Sequence, residues 1–233
     1  MQVLILAGGY GTRLSEETDL IPKPMIKIGG VPILVHIMDY YACYGHKNFV
    51  IAGGYKIDVI YKYFSNFKRD YNVSIYDTGL DLSTGGRIKK LGNILEDDFL
   101  LTYGDGLSNI NIDNLIKFHK GSNNFLTVTA VRPPARFGSI EIYDGQVVKF
   151  DEKNPQNAGW INGGFFYCNK VVLDYIHNLY EPFEGEPLKY LVSIGKFGAF
   201  KHNGWWHPMD TLRDKRVLEE LWGNGEAPWR KNA

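Results

Sequence analysis

The first run of the chain, Gln2 to Leu6, is of buried type at every position and breaks on Gly8 and Gly9. A strand that is apolar throughout, rather than at alternate positions, needs cover on both faces. That is the condition of a parallel sheet held between two layers of helices. The glycines that follow place a flexible turn at the carboxyl end of this strand, where open parallel sheets bind their ligands.

The rest of the chain repeats this alternation of short apolar runs and amphipathic segments. Strands are expected at Asn48–Ala52, Val73–Tyr76, Phe99–Tyr103, Leu126–Val131 and Trp160–Cys168. Helices are expected at Pro32–Tyr44, Lys56–Asn66, about Gly85–Asn93, Asp113–Lys120, Lys170–Asn178, Pro187–Ile194 and about Thr211–Trp222. Ser139–Phe150 reads as a hairpin turning on Asp144-Gly145. The predicted fold class is α/β: one doubly wound, mostly parallel, Rossmann-like sheet over residues 1–233. A small mixed β region is expected over its active edge.

Composition narrows the partners. Lys+Arg and Asp+Glu both number 26. A neutral chain lacks the basic excess that nucleic acid or an anionic membrane attracts, so neither is expected as a partner. An anionic small molecule needs only a local cluster of cations. Cys43 and Cys168 lack metal-like spacing and read as reduced, buried core thiols. With no signal peptide or membrane-length apolar run, the expected location is cytoplasmic.

The segment LAGGYGTRL, Leu6 to Leu14, allows backbone N–H groups to approach phosphate oxygens, and Arg13 adds a forked cation. Lys23, between Pro22 and Pro24, is held on a stiff segment that can turn its ammonium toward the loop. The loop is no P-loop, because no Gly-Lys-Ser/Thr follows. It is no dinucleotide fingerprint either, because Leu14 stands where the third glycine belongs and the second strand ends on Gly53-Gly54 without an acidic residue. A plain turn with a surface arginine is the remaining alternative.

LAGGYGTRL followed by PKP resembles the signature of sugar-1-phosphate nucleotidyltransferases. SEET, DTG, STGGR (to Arg87), TYGDG (Thr102–Gly106), PPARFG, FDEK, INGGFF, HPMDTLRDK and APWR resemble the glucose-1-phosphate cytidylyltransferase branch over nearly the whole chain. Two departures stand out. The segment between Phe64 and Asp77 is short for that branch, which bears on assembly. Asn154 separates Glu152-Lys153 from Pro155, which bears on the sugar phosphate.

The resemblance implies the nucleotide-diphospho-sugar transferase type of fold and attack of a sugar-phosphate oxygen on the α-phosphorus of CTP. A phosphate monoester is largely ionised near neutral pH, so the task is electrostatic rather than one of general-base catalysis. The implied cofactor is Mg²⁺, with Asp105 and Asp210 as ligands; a turn aspartate and a helix cap are the alternatives. Arg13, Lys23 and Asp105 are the implied catalytic residues. Leu6, Ala7, Gly8, Gly9, Gly11, Thr12, Arg13 and Lys23 are the implied nucleotide contacts, with Thr84, Gly86, Arg87 and Gly104.

Arg87 either donates to the cytosine carbonyl or serves as a phosphate or helix-surface arginine. Lys153 is expected on the sugar phosphate, and Glu152, Asn162 and Gly163 around its hydroxyls. Trp205 and Trp206 read as a sugar platform or as buried anchors under the last helix. His207 lacks partners for zinc. The Tyr-rich stretch from Tyr55 to Tyr76 reads as core or subunit interface. The family implies a homo-oligomer making a CDP-sugar for polysaccharide biosynthesis. Other acceptor phosphates, UTP or dTTP, and a silent nucleotide-sugar-binding module are the competing readings.

Overall fold

The structure is a computed structural model that describes residues 1–11, 14, 18–134, 139–151 and 159–230. Its strands are β1 (Gln2–Ala7), β2 (Lys27–Ile28), β3 (Val31–Pro32), β4 (Asn48–Gly53), β5 (Asn72–Asp77), β6 (Asp98–Tyr103), β7 (Gly106–Ser108), β8 (Leu126–Val131), β9 (Ser139–Tyr143), β10 (Gln146–Asp151), β11 (Ile161–Asn169), β12 (Phe197–Lys201) and β13 (Trp206–Pro208). The α-helices among them are α1 (Ile33–Ala42), α2 (Ile57–Phe64), α3 (Thr84–Lys90), α4 (Ile112–Lys120), α5 (Glu186–Ser193) and α6 (Leu212–Gly223).

Seven strands form the central sheet in the order β12-β8-β11-β6-β1-β4-β5. Only β11 runs against its neighbours β6 and β8; the other pairings are parallel. The architecture is therefore mixed α/β around a mostly parallel sheet. All six residues of β1 are buried, as its continuous apolar run requires. Val3 and Ile5 face a core shared with α1, Leu115 of α4 and Leu218 of α6. Leu4 and Leu6 face a second core with Ile88 of α3 and Leu188 and Leu191 of α5.

Four local differences from the sequence expectations have physical causes. Lys170–Asn178 is not an α-helix: a 3₁₀ segment covers Lys170–Tyr175, started by the Asn169 side chain accepting from Val171 N, and stops at extended Ile176. Helix α3 ends at Lys90, and a 3₁₀ turn at Gly92–Ile94 follows. The edge strand β12 was hidden by its Gly198, whose absent side chain admits Asn124. The three-residue strands β7 and β13 pair with each other and are too short to carry a periodic signal.

The hairpin β9–β10 forms around Asp144 and Gly145, both at positive φ, as its Asp-Gly turn predicts. It makes its own two-stranded sheet, and Ile140, Ile142, Val148 and Phe150 are exposed.

Candidate active site

A cavity of about 720 Å³ opens at the carboxyl ends of β1 and β6, lined by the glycine loop, Lys23, the 80–84 segment, Arg87, Tyr103, Asp105 and Glu184. It lies where the strand order leaves β1, with β4 on one side and β6 on the other. Leu6, Ala7, Gly8, Gly9, Gly11, Lys23, Thr84 and Gly104 all line it, as do Arg87 and Asp105.

The glycines serve different ends. A Cβ on Gly8 would stand 2.3 Å from Arg87 Nη1, so this glycine makes room for the guanidinium rather than for a ligand. Gly9 has open space beside it. Gly11 adopts φ +67°, which a residue with a side chain rarely does, and packs on Thr18 and Lys23. Gly104 lets β6 pass Leu6 O and Pro24 closely. A Cβ on Gly86 would stand 1.8 Å from Leu179 O, and one on Gly85 would stand 2.7 Å from Glu181 O. This pair therefore admits the 179–184 segment onto the start of α3.

Arg87 is buried, and both of its terminal nitrogens are already engaged. Nη1 donates to Gly53 O at 3.2 Å, to Gly79 O at 2.8 Å and to Thr78 Oγ1. Nη2 donates to Gly8 O at 3.0 Å and Leu80 O at 3.3 Å. Burial lowers its pKa, partly opposed by Asp77. In this arrangement the guanidinium ties the glycine loop to the 79–80 backbone.

Lys23 is fixed by a 3₁₀ turn at Lys23–Met25, with Pro24 inside it. Its ammonium lies 2.6 Å from Asp105 Oδ2 and 2.7 Å from Asp210 Oδ1. Burial pulls the Lys23 pKa down, but the carboxylates, Asp105 foremost, outweigh it and hold it above the usual lysine value. The short ribbon explains how residues far apart in sequence meet here. β7 follows Asp105, β13 precedes Asp210, and Met209 N donates to Asp105 O at 2.8 Å. Asp214 Oδ2 then accepts from Asp210 N and Thr211 N, and Thr211 caps α6 in a reciprocal capping box. Asp210 thus lies one residue before the N-cap and is not itself the cap.

Among the described residues no group of three or more His, Cys, Asp or Glu side chains could hold a metal. Two carboxylates around one cation are nevertheless the donor set that suits Mg²⁺, which takes one or two carboxylates and completes its shell with water and substrate oxygens. The Lys23 ammonium marks where positive charge is accommodated between them.

Asn162 and Gly163 are not among the lining residues; Asn162 reaches the cavity through Tyr103, to whose OH its Nδ2 donates at 3.0 Å, and its Oδ1 accepts from Gly164 N. Gly163 packs on Val131, and its carbonyl accepts from Trp206 Nε1 at 2.7 Å. Trp205 stacks on Trp229 at 5.2 Å. Both tryptophans therefore act as anchors. His207 Nδ1 lies 2.8 Å from Pro208 O. Within the Tyr-rich stretch, Tyr63, Phe64, Phe67 and Tyr71 form an aromatic cluster extending to Phe49. Thr12, Arg13, Glu152 and Lys153 lie outside the described residues.

Glu184 was not singled out from the sequence, yet it lines the cavity and accepts from Thr84 Oγ1 at 2.6 Å and from Tyr103 OH. Its only sequence signal is an acidic residue in a Pro/Gly loop, which by itself reads as a surface turn.

Known proteins are similar to this chain over most of its length. The family model described as Nucleotidyl transferase matches residues 2–207. Glucose-1-phosphate cytidylyltransferase of Salmonella typhi is 47% identical, over 99% of this chain and 99% of its own. That alignment runs over 254 positions against the 233 residues here, so the relative carries segments this chain lacks. HddC from Yersinia pseudotuberculosis superposes with a TM-score of 0.75 at 27% identity, covering 95% of this chain and 99% of that one. The inositol-1-phosphate CTP transferase from T. maritima shares the fold, with a TM-score of 0.72 at 18% identity over 100% of this chain and 97% of that one.

Proposed function

Since this chain belongs to the nucleotidyl transferase family, we propose that it transfers the cytidylyl group of CTP to glucose 1-phosphate, releasing CDP-glucose and pyrophosphate. It is a nucleotidyltransferase, and the full-length identity to glucose-1-phosphate cytidylyltransferase carries the choice of substrates. The cavity supplies what such a transfer needs: a glycine loop for phosphates, a buried ammonium and two carboxylates at one mouth.

In the reaction, a phosphate oxygen of the sugar phosphate forms a bond to the α-phosphorus, and the bond to the pyrophosphate oxygen breaks with its electron pair. Asp105 and Asp210 would hold Mg²⁺, which when bound neutralises the triphosphate and the charge gathering on the leaving group. Backbone N–H groups of Gly8 to Gly11 receive phosphate oxygens. Lys23, with Arg13, adds positive charge where the α-phosphoryl group passes. Lys153 and Glu152 bind the acceptor, with Asn162 and Gly163 forming its wall.

No helix among the described residues is long and apolar enough to cross a membrane. A cytoplasmic location is supported by the unpaired Cys168, buried as expected, and Cys43, which is exposed where a core thiol was expected. Self-association into a homo-oligomer is supported by the exposed apolar residues of the β9–β10 hairpin. The test is pyrophosphate release with Mg²⁺, crossing the common nucleoside triphosphates with several sugar 1-phosphates. Release confined to CTP with glucose 1-phosphate upholds the assignment. CTP-dependent release with another phosphate moves the acceptor, and no release with any pair overturns it.

A further inference from the structure

Two acidic side chains among the described residues of the cavity lining, Asp81 and Glu184, are left without a task by the reaction above, and Glu184 is the one that accepts from two hydroxyls. The chain goes to some length to put it there. Gly85 and Gly86 open a seat at the start of α3, where side chains would collide with Glu181 O and Leu179 O. The 179–184 segment fills that seat, and Phe183 N donates to Thr84 Oγ1 at 2.8 Å. Thr84 Oγ1 in turn donates a hydrogen bond to Glu184 Oε2 at 2.6 Å. Tyr103 OH donates to Glu184 Oε1, and Asn162 Nδ2 donates to Tyr103 OH at 3.0 Å. The result is a hydrogen-bonded chain from β11 through β6 to α3 in which the carboxylate joins Tyr103 to Thr84.

Both carboxylate oxygens are thus aimed by hydroxyl donors. Burial, reinforced by Glu184, raises the Tyr103 pKa, so the phenol stays protonated and keeps donating. An ionised carboxylate offers about four acceptor positions, and these two contacts use half of them. The remaining lone pairs face a cavity built for phosphates, and a phosphate is the one substrate group a carboxylate repels. What it can take is a neutral donor.

We infer that Glu184 is a specificity-determining residue that accepts a hydrogen bond from a substrate hydroxyl, on the ribose or on the sugar ring. The inference rests on the assignment of a nucleotide and a sugar phosphate to this cavity. It adds a residue outside the sequence motifs, held by Thr84 and Tyr103 and linked to Asn162 through the Tyr103 hydroxyl.

Equilibrium binding of CDP-glucose by calorimetry tests this independently of turnover. The ligands are CDP-glucose, its 2′-deoxyribose and 3′-deoxyribose analogues, analogues lacking single glucose hydroxyls, and UDP-glucose. For the unmodified protein, one deoxy analogue should bind at least about tenfold more weakly than CDP-glucose, the scale of one hydrogen bond to a charged acceptor. In Glu184→Gln and Glu184→Ala that difference should shrink to within about twofold, with binding of the remaining analogues reduced in parallel. Whether a ribose or a glucose analogue loses its penalty tells which hydroxyl is read. Tyr103→Phe keeps the carboxylate but frees one oxygen, and should narrow the same difference partway.

Discrimination that survives unchanged in both Glu184 variants overturns the inference, leaving the residue a strut. So does a change confined to CDP-glucose against UDP-glucose, which would make it a reader of the base amino group. Failure of the functional reading looks different: the unmodified protein would release no pyrophosphate from CTP, whatever the binding series shows.

Discussion

Replacing Arg87 by lysine separates two views of this residue, a reader of the pyrimidine and an internal tie. The guanidinium serves five acceptors from two nitrogens. A lysine ammonium has three donors, a point geometry and a shorter reach, so it cannot keep them all. Not every loss counts equally. Gly53 O also accepts from Thr78 N, and Gly8 O also accepts from Tyr55 N. Gly79 O and Leu80 O depend on Arg87 among the contacts described here. Two charge-assisted bonds at about 1.5 kcal/mol each give a loss of about 3 kcal/mol. For a chain of this size that corresponds to a fall of about 6–12 °C in Tm. Urea and thermal unfolding measure the loss, and calorimetry measures CTP and UTP binding. Because the tie holds the loop that both nucleotides use, both affinities should fall by a similar factor. A loss below about 1 kcal/mol, together with a changed preference between CTP and UTP, would refute the argument.

Three further outcomes are expected. Lys23→Met leaves Asp105 and Asp210 facing each other without their shared cation, so it should cost about 3 kcal/mol of stability and at least about a hundredfold in turnover. Urea titration and initial rates check the two losses. Gly86→Ala forces a Cβ toward Leu179 O and should destabilise by about 2 kcal/mol or more, read as an earlier urea midpoint. Stability should also fall as pH drops below about 6.5. Burial lowers the His36 pKa from its ordinary 6.5, so the unfolded chain takes up a proton that the folded one refuses. In the fold, His36 Nε2 donates to Ile28 O while Nδ1 accepts from Trp229 Nε1, which fixes the neutral tautomer. His46, His119 and His202 are lowered by burial as well and add to the same trend, so urea titrations between about pH 6.5 and 5 should show stability falling steadily as the pH drops.

The parallel strands were legible because residues buried on both faces leave uninterrupted apolar runs, as in β1 and β4. The hairpin was legible from Asp144-Gly145 alone. β12 was not, since Phe197-Gly-Ala-Phe lacks both a run and a clean alternation. Around the cavity, the residues that stand out in sequence carry local oddities: glycines after a strand, a lysine between prolines, an aspartate between glycines. What stayed hidden was relational. Arg87 reads as a free cation until its five acceptors are seen. Gly86 reads as a nucleotide contact until the 179–184 segment is seen packed against it. Thr84 and Glu184 are 100 positions apart, and nothing local announces their contact.

The joining of Lys23 to Asp210 spans 187 positions. A contact of that separation closes a long loop, so it forms late however stable it becomes. During synthesis the strands from β1 to β6 can pair while Asp210 is still unmade. The cavity mouth then holds Lys23 and Asp105 alone. Only when β13 pairs with β7 and α6 is capped does the second carboxylate arrive. Catalytic competence should therefore trail the appearance of secondary structure in time. A refolding experiment would show a lag between the return of circular dichroism and the return of pyrophosphate release.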